Sequence, residues 1–221
     1  VESAAYGIED KQDDGSGDRK LSRGELASLI LILASVVLWF MGYNAVSSKY
    51  SVYATKVLEL DYNATLIIAQ GAAIVSYVPI GIIASKVGRK KCILAGIVML
   101  SSAFLVASFM RAGSSVVVMN FLFALAGIGW ATINVNSYPM VVELSRGSNV
   151  GKYTGFYYTA SMSAQVITPI LSGFFMDIKF TSLFPYATVF VVGALFTMLF
   201  VKHGDSKPRP RGMEALAGAE D

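Results

Sequence analysis

The 221 residues are 54% hydrophobic and only 15% charged, with a mean hydropathy of +0.57, a balance too apolar for a single soluble domain. The formal net charge of +3 is carried by cations at the ends of apolar runs and forms no patch interleaved with aromatics, which argues against nucleic acid as a partner. The single cysteine, Cys92, excludes an internal disulfide, and the single histidine, His203, reads as a solvated surface residue because it has no partners at metal-ligand spacing; no cofactor is expected.

Asp, Glu, Lys, Arg and His are absent from 26–48, 62–85, 93–110, 112–142, 153–176 and 180–201. Each run is long enough for one helical crossing, which takes about 17 to 25 residues. Runs of this length without alternation predict an all-α membrane protein of six transmembrane helices, not a barrel. An even number of crossings puts both termini on one face. All but four of the 18 Lys and Arg residues fall on that face, the exceptions being Lys49, Lys56, Arg111 and Lys179. The positive-inside rule therefore makes both termini cytoplasmic, in a multi-pass protein of the cell membrane whose first partner is lipid.

The acidic stretch 1–21, broken by Gly15-Ser16-Gly17, is too polar to order itself and is predicted to be a cytoplasmic linker. The sequence starts at Val1 with no signal peptide before the first span, consistent with a chain that begins partway through a longer protein. The six-helix bundle is expected over 22–203, followed by a cytoplasmic tail at 204–221. Ser22 and Glu25 have the S-x-x-E form of a capping box for the first helix. That helix carries Trp39, Tyr43 and Asn44 towards its outer half, where an amide needs partners that lipid does not offer; an outer loop is expected over 49–60.

Asp61 is placed to cap the second span, on which Asn63, Gln70 and Tyr77 share a face. Gln70 there serves either as glue between helices or as a ligand contact. Residues Gly81 to Lys91 follow, a tight glycine-and-cation turn with four cations, Lys86, Arg89, Lys90 and Lys91. The third span has only Ser101 and Ser102 as polar groups and reads as packing. On the fourth, Gly127, Trp130, Asn134 and Ser137 share one face. Such a face suits a sugar: an indole covers its C–H surface, amide and hydroxyl groups replace its hydration, and the glycine leaves room.

Glu143 closes the fourth helix, and Arg146 lies three residues on, an arrangement that on its own is a surface ion pair worth about 0 to 1 kcal/mol. The fifth span carries Thr154, Tyr157, Tyr158, Ser161, Gln165, Thr168 and Ser172 at helical spacing, a polar stripe expected to face a partner half or a watery pathway. The sixth is nearly all apolar. No paired acids, histidine cluster or Ser-His set lies at membrane depth, so the chain is not expected to be an enzyme.

The turn Gly81-Ile82-Ile83-Ala84-Ser85-Lys86-Val87-Gly88-Arg89-Lys90 resembles the G-x-L-A-D-R-x-G-R-R loop of the major facilitator superfamily, departing at Ser85, where the family has an acid. Gly42-Tyr43-Asn44-Ala45, Asn136-Ser137-Tyr138-Pro139 and Gly151-Lys152-Tyr153-Thr154-Gly155 with Gln165 and Thr168-Pro169 resemble its sucrose and glycoside-cation symporter branch. The resemblance implies the C-terminal half of a twelve-helix transporter, built as a three-plus-three inverted repeat, with cargo held at mid-membrane between two bundles that rock.

It further implies a substrate site of Trp39, Tyr43, Asn44, Gln70, Trp130, Asn134, Tyr157, Ser161 and Gln165. A gate would comprise Gly81, Lys86, Gly88, Arg89, Lys90, Glu143 and Arg146, with Glu143 docking near Arg89 when the protein is closed inward. The expected cargo is a small polar solute, a sugar or glycoside, driven by a proton or sodium gradient. No acid lies inside any span, so a coupling carboxylate would belong to the other half, and these residues alone are not expected to transport. The alternatives are the same fold exporting drugs or organic anions, and a membrane scaffold that transports nothing.

Overall fold

The structure is a computed structural model describing residues 21–145 and 149–205. Arg146 and most of the predicted linker and tail lie outside the described residues. The described chain forms the long helices α1 (Arg23–Tyr53), α2 (Tyr62–Val87), α3 (Arg89–Ala107), α4 (Val116–Glu143), α5 (Val150–Ile178) and α6 (Leu183–Leu199). α1 to α4, and α6 together with the 3-10 turn Phe180–Ser182 that leads into it, are long and apolar enough to cross a membrane. At 29 residues α5 has the length, and the hydroxyls and amide of its polar stripe are what lower its hydropathy. The protein is thus a multi-pass membrane protein.

Local chemistry sets the helix ends. At the start of α1 the Glu25 N–H donates to Ser22 Oγ at 3.2 Å and the Ser22 N–H to the Glu25 carboxylate at 2.9 Å, the reciprocal box the sequence predicts. With no Pro or Gly between Gly42 and Leu58 to stop it, α1 then runs through Tyr53 into one π-helical turn, Ala54–Leu58. The outer loop expected over 49–60 therefore shrinks to Glu59–Asp61, where Glu59 takes a left-handed conformation at φ 56°. Asp61 caps α2, accepting from the Asn63 N–H at 2.9 Å.

The cationic turn also contracts. Gly81 to Val87 continue α2 as helix, and only Gly88 lies outside, at φ 101° and ψ 146°, backbone that a side chain would strain. The Gly88 N–H still bonds Ala84 O, and Gly88 O still accepts from the Cys92 N–H. Gly81 is therefore a helical residue and not a turn former.

Packing places α4 between α2 and α3, α3 against α6, α6 against α1, and α1 against α5. This order is unchanged when α1, α2 and α3 are exchanged with α4, α5 and α6. Lipid gives no hydrophobic drive between helices, so close backbone approach has to hold them. On one side of α4, a Cβ at Gly96 of α3 would lie 2.8 Å from Gly129 O. On the other, a Cβ at Gly127 would run into Ala69 O of α2. Gly127 thus serves helix packing, and the room expected beside Trp130 is taken by backbone. Ile93, Ile97, Met119, Ile133, Phe184 and Trp39 fill the centre, all fully buried.

Candidate functional site: an uncharged seat and an ion pair at the Gly88 end

The first candidate site joins α1, α2 and α4. Tyr43 of α1 lies flat on Trp130 of α4, with ring centroids 3.8 Å apart and planes 2° from parallel, and Phe40 meets the same indole edge-on at 5.0 Å. Gln70, exposed on α2, and Tyr77 lie beside Tyr43. Asn44 and Asn134, both half-buried, donate one amide N–H to the carbonyl a turn back, Phe40 O at 2.8 Å and Trp130 O at 3.0 Å. Each keeps its side-chain oxygen and second N–H for another partner. No ionisable acid, lysine, arginine or histidine occurs in the runs that carry these residues. Chemically this is a π-face rimmed by neutral donors and acceptors.

Other predicted contacts sit elsewhere. Trp39 is wholly buried, its indole N–H without a partner among the described residues, so it is core and not part of the Tyr43 seat. Trp39 and Tyr43 share a face of α1 one turn apart, so their different surroundings come from what packs at each level of the bundle. Most of the α5 stripe likewise turns inward, because a polar face next to lipid has no partners, while Tyr158 stays 49% exposed. Tyr157 and Ser161 are buried, Tyr157 bonded to Ser137 Oγ at 3.0 Å and Ser161 to Tyr158 O at 3.2 Å. Tyr138 Oη reaches Thr154 Oγ1 at 3.1 Å. These bonds staple α5 to α4, and Ser137 belongs to them and not to the seat. Gln165 is half-buried against Met162 Sδ at 3.7 Å. The face of α5 left outward is mostly apolar, with Val166 and Ile170 each 70% exposed.

The second site lies at the Gly88 end. Arg89 Nη2 and Glu143 Oε1 are 2.7 Å apart, with side chains 27% and 31% exposed. The pairing expected from the family resemblance is thus present as a contact between α3 and α4. Lys90 Nζ donates to Leu199 O at 2.9 Å and Val201 O at 2.6 Å. Lys86 is exposed on the last turn of α2. Asp205, which sequence reasoning missed, accepts from the N–H groups of Arg89 and Lys90. The signal for it was an acid just beyond the last span in a chain whose turn carries Ser85 where the family has an acid. His203, expected to be simply solvated, is exposed but bonded to Ser28 Oγ at 3.0 Å through Nδ1. A cavity of about 330 Å³ opens here, lined by Glu25, Glu143, Leu144, Lys202, His203, Gly204 and Asp205.

Long apolar helices with neutral polar groups gathered inside, and the Arg89–Glu143 pair at one end, define a polytopic membrane protein. The chain belongs to the Major Facilitator Superfamily, whose family model matches residues 31–219. Its fold is similar to the crystal structure of the human organic anion transporter MFSD10 (TETRAN), with a TM-score of 0.61 and 12% identity over 83% of this chain and 49% of that one. The chain thus spans about half the length of that structure. No curated protein matches the sequence.

Proposed function

We propose that the chain is one six-helix half, the C-terminal one, of a secondary transporter that moves a small polar solute, a sugar or glycoside, by alternating access coupled to a cation gradient. Both termini are cytoplasmic in this reading, and the Arg89–Glu143 pair closes the cytoplasmic side. One observation carries the choice of cargo: the Tyr43–Trp130 stack with Gln70, Asn44 and Asn134 around it is polar yet uncharged. A saccharide offers an apolar C–H face and many neutral hydroxyls, which such a seat complements. The exchange symmetry of the packing order supports a three-plus-three repeat. The outward apolar faces of α2, with Val75 75% and Val78 73% exposed, and of α5 leave surface for lipid and for the other half.

The test is uptake by the full-length protein in proteoliposomes, with labelled sucrose and a methyl glucoside under an imposed proton or sodium gradient. Gradient-dependent accumulation is expected, and none from these 221 residues alone. Failure of every saccharide to accumulate would remove the reading. A second reading, organic-anion transport, is favoured by the similarity to MFSD10. Labelled p-aminohippurate in the same vesicles separates the two, since an anion seated at Trp130 would find no countercharge on the spans that build this seat.

A further inference from the structure

We infer that Asp205 is a positioning residue for the gate: carried on the strap that follows α6, it holds the first turn of α3 so that the Arg89 guanidinium meets Glu143. This rests on reading that pair as a gate. Asp205 Oδ1 accepts from the Arg89 N–H at 2.7 Å and the Lys90 N–H at 3.1 Å, satisfying two donors that the start of a helix leaves open. Gly88 lets it approach, since a Cβ there would lie 3.2 Å from Asp205 Oδ2. In return, Lys90 Nζ binds the carbonyls of Leu199 and Val201, where α6 ends. Each helix end is therefore capped by a charge of the favourable sign supplied by the other.

The strap is anchored along its length. Ser28 Oγ of α1 accepts from the Lys202 N–H at 3.3 Å and the His203 N–H at 3.2 Å. Gly204, at φ 92°, lies so close to α4 that a Cβ would come 2.9 Å from Met140 O. Asp205 is thus fixed relative to α1 and α4, and through it so is the α3 turn bearing Arg89. Ser85 has no charge to do this, and its hydroxyl is bonded to Ile82 O at 2.8 Å.

Cys92 reports the state of this turn. It lies one residue past Lys91, on the first turn of α3, and is only 6% exposed while the turn is held. The experiment follows alkylation of Cys92 by N-ethylmaleimide in membranes containing the full-length protein, quantified on the peptide that bears it. Asp205→Ala and Asp205→Asn are expected to react about tenfold faster, the loss of a charge-assisted cap, and Asp205→Glu at close to the parent rate. Arg89→Gln is expected to accelerate labelling as well, and adding Asp205→Ala to it should change little, because both break the same link. Parent-like labelling in Asp205→Asn, which keeps an acceptor and so folds where alanine fails, overturns the inference. So does full multiplication of the two effects, which would make Asp205 a staple independent of Arg89. Since no cargo enters this assay, it stays readable even if the gate reading fails, a failure seen instead as absence of rescue when the Arg89 and Glu143 charges are exchanged.

Discussion

Tyr43 and Trp130 lie face to face, 2° from parallel and 3.8 Å between centroids, although α1 packs mainly on α5 and α6 and meets α4 only briefly. Aromatic rings prefer offset or edge-on contact to a sandwich, and such pairs are worth about 0.5 to 1.5 kcal/mol. A stack of this kind is easily exchanged for contact with another flat surface. The edge of Phe40 against the same indole is the more favourable geometry and gives Trp130 a second aromatic neighbour.

If the stack is where cargo sits, Trp130→Ala raises the KM for saccharide uptake about tenfold, an amount consistent with loss of a stacking surface. Trp130→Phe retains most of the affinity, and Asn134→Ala weakens it further. Uptake kinetics of the full-length protein check this. Unchanged kinetics in both alanine variants would move the cargo to another face.

The Arg89–Glu143 pair predicts charge-swap rescue. Arg89→Glu or Glu143→Arg alone places like charges 2.7 Å from where opposite ones stood and lowers uptake about fivefold or more. The double exchange restores most of it. Initial rates normalised to protein in the membrane provide the measurement.

Gly127→Ala costs about 1 to 3 kcal/mol, because its Cβ has to push the Ala69 carbonyl and with it α2 away from α4. Gly71→Ala on α2 meets nothing within 4 Å and leaves stability equal or higher by about 0.5 to 1 kcal/mol. Thermal unfolding of the purified protein distinguishes the two.

Tyr157→Phe leaves the wholly buried Ser137 hydroxyl with only a long bond to Asn134 O at 3.5 Å and lowers stability by about 1 kcal/mol. Adding Ser137→Ala recovers part of the loss, since an absent hydroxyl needs no partner. The same thermal measurement on both variants tests the pair.

The crossings were legible because exclusion of charge from lipid is written in composition, residue by residue, and the caps at Ser22 and Asp61 because they are local chemistry. The Arg89–Glu143 contact was legible only through the family's pattern. What could not be read was which side of each polar face meets a neighbour. Trp39 and Tyr43 are a turn apart, yet one is core and the other lines the seat. Gly127 looks like room for a ligand until α2 is placed against it. The α5 stripe has the same periodicity whether it faces water or α4. Tertiary placement decides these, and a single helix's spacing is blind to it.

With Gly88 as the sole residue between α2 and α3, and hydrogen bonds running on either side of it, the two helices share a crank with almost no slack. Any twist imposed on the largely exposed α2 is delivered as torque to α3, which is packed against α4 and α6. Lengthening that joint by even a few flexible residues would let one rod turn while its neighbour stands still.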